Sequence, residues 1–141
     1  MRILILGGTI FLGRALVEAA LKSGHQLTLF NRGKTNPDLF RGVDHLYGER
    51  DGDLSPLEEQ RWDAVIDTSG YVPRLVRRTA EPLANRVDHY TFISSLSVYA
   101  DPSQTGIDES APVGTMDDPT IEEVDGDTYG LLKALCEGAA E

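Results

Sequence analysis

The stretch RILILGGTIFLGRALVEAA, residues 2–20, decides the fold. Residues 3–6 are consecutive aliphatic side chains, the pattern of a strand buried on both faces. Gly7 and Gly8 follow at once, and Gly13 closes the turn. Leu12, Leu16, Ala19 and Ala20 then recur at helical spacing, and Gly24 suits the position just past a helix end. The order is strand, glycine turn, helix. The turn has one irregularity: Ile10 stands where G-x-x-G-x-x-G has its middle glycine.

Outward from that stretch, strand and helix signals alternate. Residues 26–30 read as a second strand, 43–47 as a weaker third, 64–67 as a fourth entered through Trp62, and 90–94 as a fifth. Pro73 can open a helix that turns Leu75, Val76, Ala80 and Leu83 inward, with Pro82 expected to kink or shorten it. Residues 128–140 read as a last helix with Leu131, Leu132, Leu135 and Cys136 on its apolar side. Strands separated by helices imply a parallel sheet with helices on both faces, so the fold class is α/β, a Rossmann-type doubly wound sheet in one domain over residues 1–141. Residues 101–127 are rich in Pro, Gly, Asp, Glu and Thr and read as a long, solvated acidic surface loop.

Composition narrows the function classes. The net charge of −10 repels phosphate backbones and anionic membranes, which argues against nucleic-acid and membrane partners. Arg74, Arg77, Arg78 and Arg86 cluster, but read as a solvated helix face. One cysteine, Cys136, excludes an internal disulfide, and His25, His45 and His89 lack ligand spacing, so no metal site is expected. No segment approaches a membrane span and nothing resembles a signal peptide, which makes the cytoplasm the expected compartment.

A glycine turn between a first strand and its helix has a physical purpose. It lets a pyrophosphate approach the backbone, and the helix start offers N–H donors and the positive end of its dipole. Gly7, Thr9, Ile10, Phe11, Leu12 and Gly13 are the candidate contacts. Ile10 is expected in the first helical turn with negative φ, altering clearance and affinity while the site is retained. At the end of the second strand an acid favours the ribose hydroxyl of NAD, and a base favours the 2′-phosphate of NADP. Here Asn31, Arg32 and Lys34 stand with no acid among them, and Arg14 is a further cation, so NADP is expected, with NAD as second choice.

Tyr129 and Lys133 lie at i, i+4 on the last helix and project from one face. An ammonium beside a phenol lowers the phenol's pKa from about 10 and makes tyrosine a usable acid or base. Ser94, Ser95 and Ser97 cluster after the fifth strand, at the edge where open α/β sheets bind ligands.

Taken together, GGTIFLG, DTSG, SSLSVYA and YGLLKALCE resemble the extended short-chain dehydrogenase/reductase family, the NAD(P)-dependent epimerase/dehydratase group. The likeness runs along the whole chain. It is strongest to the branch whose loop reads G-G-T-x-F-L-G, which includes proteins similar to chloroplast stem-loop RNA-binding proteins. The resemblance implies that Ser95, Tyr129 and Lys133 are catalytic: Tyr129 exchanges a proton with a substrate hydroxyl or carbonyl, and Lys133 holds the nicotinamide ribose. It also implies that Thr68, Ser69 and Gly70 line the cofactor, and that Glu49 and Arg50, in GERDGD, meet its adenine side. The implied substrate is a small molecule, a nucleotide sugar, and the implied assembly a homodimer. Family members continue into a smaller carboxyl-terminal substrate domain, whereas this sequence stops at Glu141, so it is expected to lack that domain and to be inactive alone. The competing expectation is a non-catalytic NADP-sensing or RNA-binding protein on the same fold, and a third is a structural domain with an empty site.

Overall fold

The computed structural model describes residues 1–141. It contains five strands, β1 (Arg2–Leu6), β2 (Gln26–Asn31), β3 (Asp44–Tyr47), β4 (Trp62–Asp67) and β5 (Val87–Phe92). The helices are α1 (Phe11–Lys22), the short α2 (Ser55–Glu58), α3 (Pro73–Leu83) and α4 (Tyr129–Ala140), with a single 3-10 turn at Leu96–Val98. The chain divides into two compact units, Met1–Ser69 with Arg78–Ile93, and Gly70–Arg77 with Ser94–Glu141.

The first unit holds the whole sheet, ordered β3-β2-β1-β4-β5 and parallel throughout. This is the Rossmann-type arrangement, with β1 central and the chain order reversing beside it. The period of two along β1 assigns its side chains to opposite faces. Ile3 and Ile5 pack with Val17 of α1, Leu27, Leu29 and Ala64. Leu4 and Leu6 pack with Phe30, Leu54, Leu57, Trp62, Val65 and Leu83. Both faces are therefore covered, which is why residues 3–6 are apolar without alternation.

Two local expectations need correction. On α1 the buried residues are Gly13 and Val17, while Leu12 and Ala19 face outward. A Cβ on Gly13 would come within 2.9 Å of the Gly8 nitrogen, so the helix turns Gly13 inward and the buried stripe passes through Val17. The fifth strand spans Val87–Phe92, not 90–94. Backbone pairing of Trp62 with Val87 and Ala64 with His89 recruits its polar start, and Ser95 leads the chain into the 3-10 turn instead of extending the strand. Pro82 is the penultimate residue of α3, which ends at Leu83, as expected of a proline that stops a helix.

The second unit is built around α4 and the 3-10 turn. Val98, Leu132, Cys136 and Ala139 are buried, and so is Lys133. Leu131 and Leu135 are only half-buried, so the apolar stripe of α4 is rotated from the expected one and passes through the lysine. Residues 101–127 carry no helix or strand, only an isolated bridge between Tyr99 and Val113. Three of their acids are used locally. Asp101, Asp108 and Asp118 each accept from the backbone and hydroxyl of the Ser or Thr two residues on.

Candidate functional site

In the first unit the candidate site is the glycine turn at the carboxyl end of β1. Gly7 adopts φ +107 and donates its N–H to the Phe30 carbonyl at 2.8 Å. A Cβ there would stand 2.6 Å from Thr68 Oγ1, so only glycine lets the ends of β1 and β4 approach this closely. Thr68 Oγ1 itself donates to the Leu6 carbonyl at 2.9 Å, and Ser69 Oγ to the same oxygen at 3.2 Å. Thr9 is buried, and its carbonyl accepts from Asn36 Nδ2 at 2.9 Å.

Ile10 sits one place earlier than expected. It is the residue before α1, extended at φ −135, and not part of the first turn. Its φ is negative, as expected, and the unusual conformation falls on Phe11, at φ +38. Both side chains are turned to solvent, Ile10 being 60% and Phe11 91% exposed. No side chain caps the start of α1, so the first-turn N–H groups of Phe11, Leu12 and Gly13 have no side-chain acceptor. A turn that excludes side chains, beside uncapped donors at a helix's positive end, is chemically suited to a phosphate anion.

Asn31 ties the end of β2 to this turn, donating from Nδ2 to the Gly7 carbonyl at 3.4 Å and accepting at Oδ1 from the Gly33 N–H at 2.8 Å. Arg32 is exposed. Lys34, expected to assist Arg32, pairs with Glu49 at 2.8 Å. The Lys34 hydrogen bond and charge, with a smaller contribution from Arg32, hold the Glu49 carboxyl below the usual carboxylate range. The acid absent from the end of β2 is thus supplied by the segment after β3.

Arg50 is committed to a buried network. Its Nη2 pairs with Asp67 Oδ1 and lies 3.3 Å from Ser69 Oγ, while Tyr90 donates to Asp67 Oδ2 at 3.0 Å. Asp67 is 0% exposed. A carboxylate removed from water requires partners of this kind, and here they come from the segment after β3 and from β5. Arg50 Nη1 is buried with no partner. Burial, and next the Asp67 charge, push the Tyr90 phenol far above its ordinary pKa, so it acts as a permanent donor.

In the second unit Tyr129 begins α4, and its N–H donates to the Asp125 carbonyl at 3.1 Å. Lys133 is 3% exposed, and its Nζ donates to the Gly70 carbonyl at 2.9 Å. Ser95 caps the 3-10 turn, its Oγ accepting from the Ser97 N–H at 3.1 Å, while the neighbouring Ser94 Oγ is buried and unpartnered. Gly130 brings α4 against that turn, because any Cβ at this position would overlap the Ser97 carbonyl oxygen. Within this unit the fold therefore ties Lys133 to Gly70 and packs Gly130 of α4 against Ser97.

No protein-family model matches the chain. The chain is 35% identical over 114 residues to the chloroplast stem-loop binding protein of 41 kDa b of Arabidopsis thaliana, a match covering 70% of this chain and 30% of that protein. Among solved structures it superposes on a short-chain dehydrogenase/reductase superfamily protein from Agrobacterium tumefaciens with bound NAD, with a TM-score of 0.75 and 22% identity, over 99% of this chain and 44% of that one. It also superposes on the UDP-Glc/GlcNAc 4-epimerase of Campylobacter jejuni, with a TM-score of 0.76 and 19% identity, over 97% and 47% of the two chains. The likeness to these solved structures is one of fold, a parallel Rossmann-type sheet. The chain spans about half the length of these solved structures and less than a third of the chloroplast protein.

Within this fold, several residues matter that the sequence does not single out. The pairings of Asp67, Tyr90 and Gly130 have no counterpart in the local sequence, since their partners lie 17 or more positions away. Tyr71 was missed as well. Its ring centroid lies 6.3 Å from that of Tyr129, and Lys133 Nζ stands 5.6 Å from the same Tyr71 ring. Asp67 had one available signal: an acid among the apolar residues of a strand must be either strand-terminal or paired, and it is both.

Proposed function

We propose that the chain is the nucleotide-binding and proton-transfer part of an NAD(P)-dependent oxidoreductase, an epimerase, dehydratase or reductase acting on a hydroxyl or carbonyl of a small molecule, with a nucleotide sugar as substrate class. The observation that carries this reading is Lys133. An ammonium 3% exposed, four residues after Tyr129 on one helix, is costly to bury and serves no purpose in an inert scaffold. The glycine turn and the uncapped start of α1 would hold the pyrophosphate, with Gly7, Thr9 and Gly13 shaping the turn and Phe11, Leu12 and Gly13 presenting N–H donors. Asn31 and Arg32 would meet the adenosine ribose, and Thr68 and Ser69 would close the floor of the site. The bound dinucleotide would accept or donate hydride. Tyr129 would pass the hydroxyl proton to or from the substrate oxygen, Ser95 would hydrogen-bond that oxygen, and Lys133 would hold the ribose beside Tyr129. The cytoplasm remains the expected place of action, and a homodimer the expected assembly.

Arg32 supports NADP over NAD, although Lys34 is occupied by Glu49. In a fluorescence titration NADPH is expected to bind more tightly than NADH; equal affinities would remove the argument from Arg32. Glu49→Gln should release Lys34 and widen the preference about two- to fivefold, the range of an exposed ion pair. In a form that turns over, Tyr129→Phe should abolish turnover and spare cofactor binding. Undiminished turnover would place the chemistry elsewhere.

The second reading is a non-catalytic NADP-sensing or RNA-binding protein, and the likeness to the stem-loop binding protein favours it. The charge of −10 opposes RNA binding, and the buried Lys133 favours the enzyme.

A further inference from the structure

The ammonium of Lys133 is held from two directions by two adjacent residues. The Gly70 carbonyl accepts from Nζ at 2.9 Å, and the Tyr71 ring centroid lies 5.6 Å from the same nitrogen. That separation is within the reach of a cation–π attraction, which strengthens when water is excluded. Tyr71 also leans on Tyr129, with centroids 6.3 Å apart and planes tilted by 40°. A single ring therefore touches both residues of the Tyr-Lys pair. It is no ordinary core aromatic: Tyr71 is 46% exposed and belongs to neither hydrophobic cluster.

We propose that Tyr71 is a positioning residue for Lys133: its ring face and the Gly70 carbonyl together fix the ammonium on the side of α4 that carries Tyr129. A lysine has four rotatable side-chain bonds, so its ammonium sweeps a wide volume unless something confines it. The carbonyl supplies one directed hydrogen bond. The ring supplies a broad, attractive wall on a second side. The ring does this without the phenolic oxygen, so phenylalanine should serve equally well and an aliphatic residue should not. Its importance for catalysis rests on the oxidoreductase reading above, whereas the confinement of Lys133 does not.

The test exploits the small number of lysines. Lys22, Lys34 and Lys133 are the only three in the chain, so ε-13C-lysine labelling gives three signals, assigned with Lys22→Arg and Lys34→Arg. Ring current from Tyr71 should displace the Lys133 ε-CH2 signal upfield in the ligand-free chain. Tyr71→Phe should leave it there. Tyr71→Leu should return it toward the exposed-lysine position and raise the rate of Lys133 acylation by a water-soluble reagent roughly fivefold, the factor expected for losing one such contact. Tyr71→Trp, with a larger ring, should deepen the displacement and keeps the test decisive if the leucine variant fails to fold. A folded Tyr71→Leu chain with unchanged shift and acylation would overturn the proposal. So would a Phe variant that behaves like Leu, or a Trp variant whose signal stays put. Failure of NADPH to bind would sink the functional reading and leave this result untouched.

Discussion

Asp67 shows how much one buried residue can demand. Its carboxylate is met by Arg50 from the segment after β3 and by the Tyr90 hydroxyl from β5, so three segments of the first unit are tied at one side chain. The phenol of Tyr90 is raised far above its ordinary pKa, first by burial and then by the Asp67 charge. The sign of the consequence follows from linkage. In the unfolded chain the phenol ionises near pH 10, while in the folded chain it stays protonated, so this contribution is complete below that pH and is lost as pH rises above it. Stability should therefore fall by about 1.4 kcal/mol per pH unit from this group alone above pH ~10. Urea unfolding midpoints at several alkaline pH values, for wild type and Tyr90→Phe, check this. The variant should start less stable, because Asp67 loses a donor, and should show the shallower decline. Parallel declines would mean that Tyr90 ionises like an exposed phenol.

At the scale of elements, glycine placement separates two kinds of helix position. Gly130 and Gly138 both lie within α4, where alanine is intrinsically better by about 1 kcal/mol. A Cβ at Gly138 meets nothing within 4 Å, so Gly138→Ala should raise the melting temperature. A Cβ at Gly130 overlaps the Ser97 carbonyl, so Gly130→Ala must push α4 off the 3-10 turn, and the propensity gain is overwhelmed. Thermal melts of the two variants should move in opposite directions. If both rise, the turn yields to α4 and the close approach is not needed to seat Ser95 beside that helix.

For the molecule as a whole, charge decides between partners. At −10, with arginines such as Arg78 spent on the carbonyls of Arg50 and Gly52, and Arg74 on Glu122, little free positive surface remains for a phosphate backbone. A stem-loop RNA should therefore produce no gel shift at neutral pH and physiological salt. A shift that weakens steeply as salt rises would instead promote the RNA-binding reading.

Hydropathy and turn chemistry are enough to place most of the elements and the class of sheet. Four aliphatic residues before a glycine turn, and the repeated return of such strands, require a parallel sheet covered on both faces, because no other arrangement buries them. Gly7, Gly13, Tyr129 and Lys133 stand out in the sequence as candidates, since turn chemistry and i, i+4 spacing are local properties, whereas Ser95 is implied only by the family resemblance. Only the tertiary structure decided which face of α1 is buried, where β5 begins, that Glu49 occupies Lys34, and that Tyr71 lies against Lys133. Those outcomes depend on contacts between residues far apart in the chain. Close approach, burial and charge pairing arise only when distant segments meet, and no local pattern encodes them.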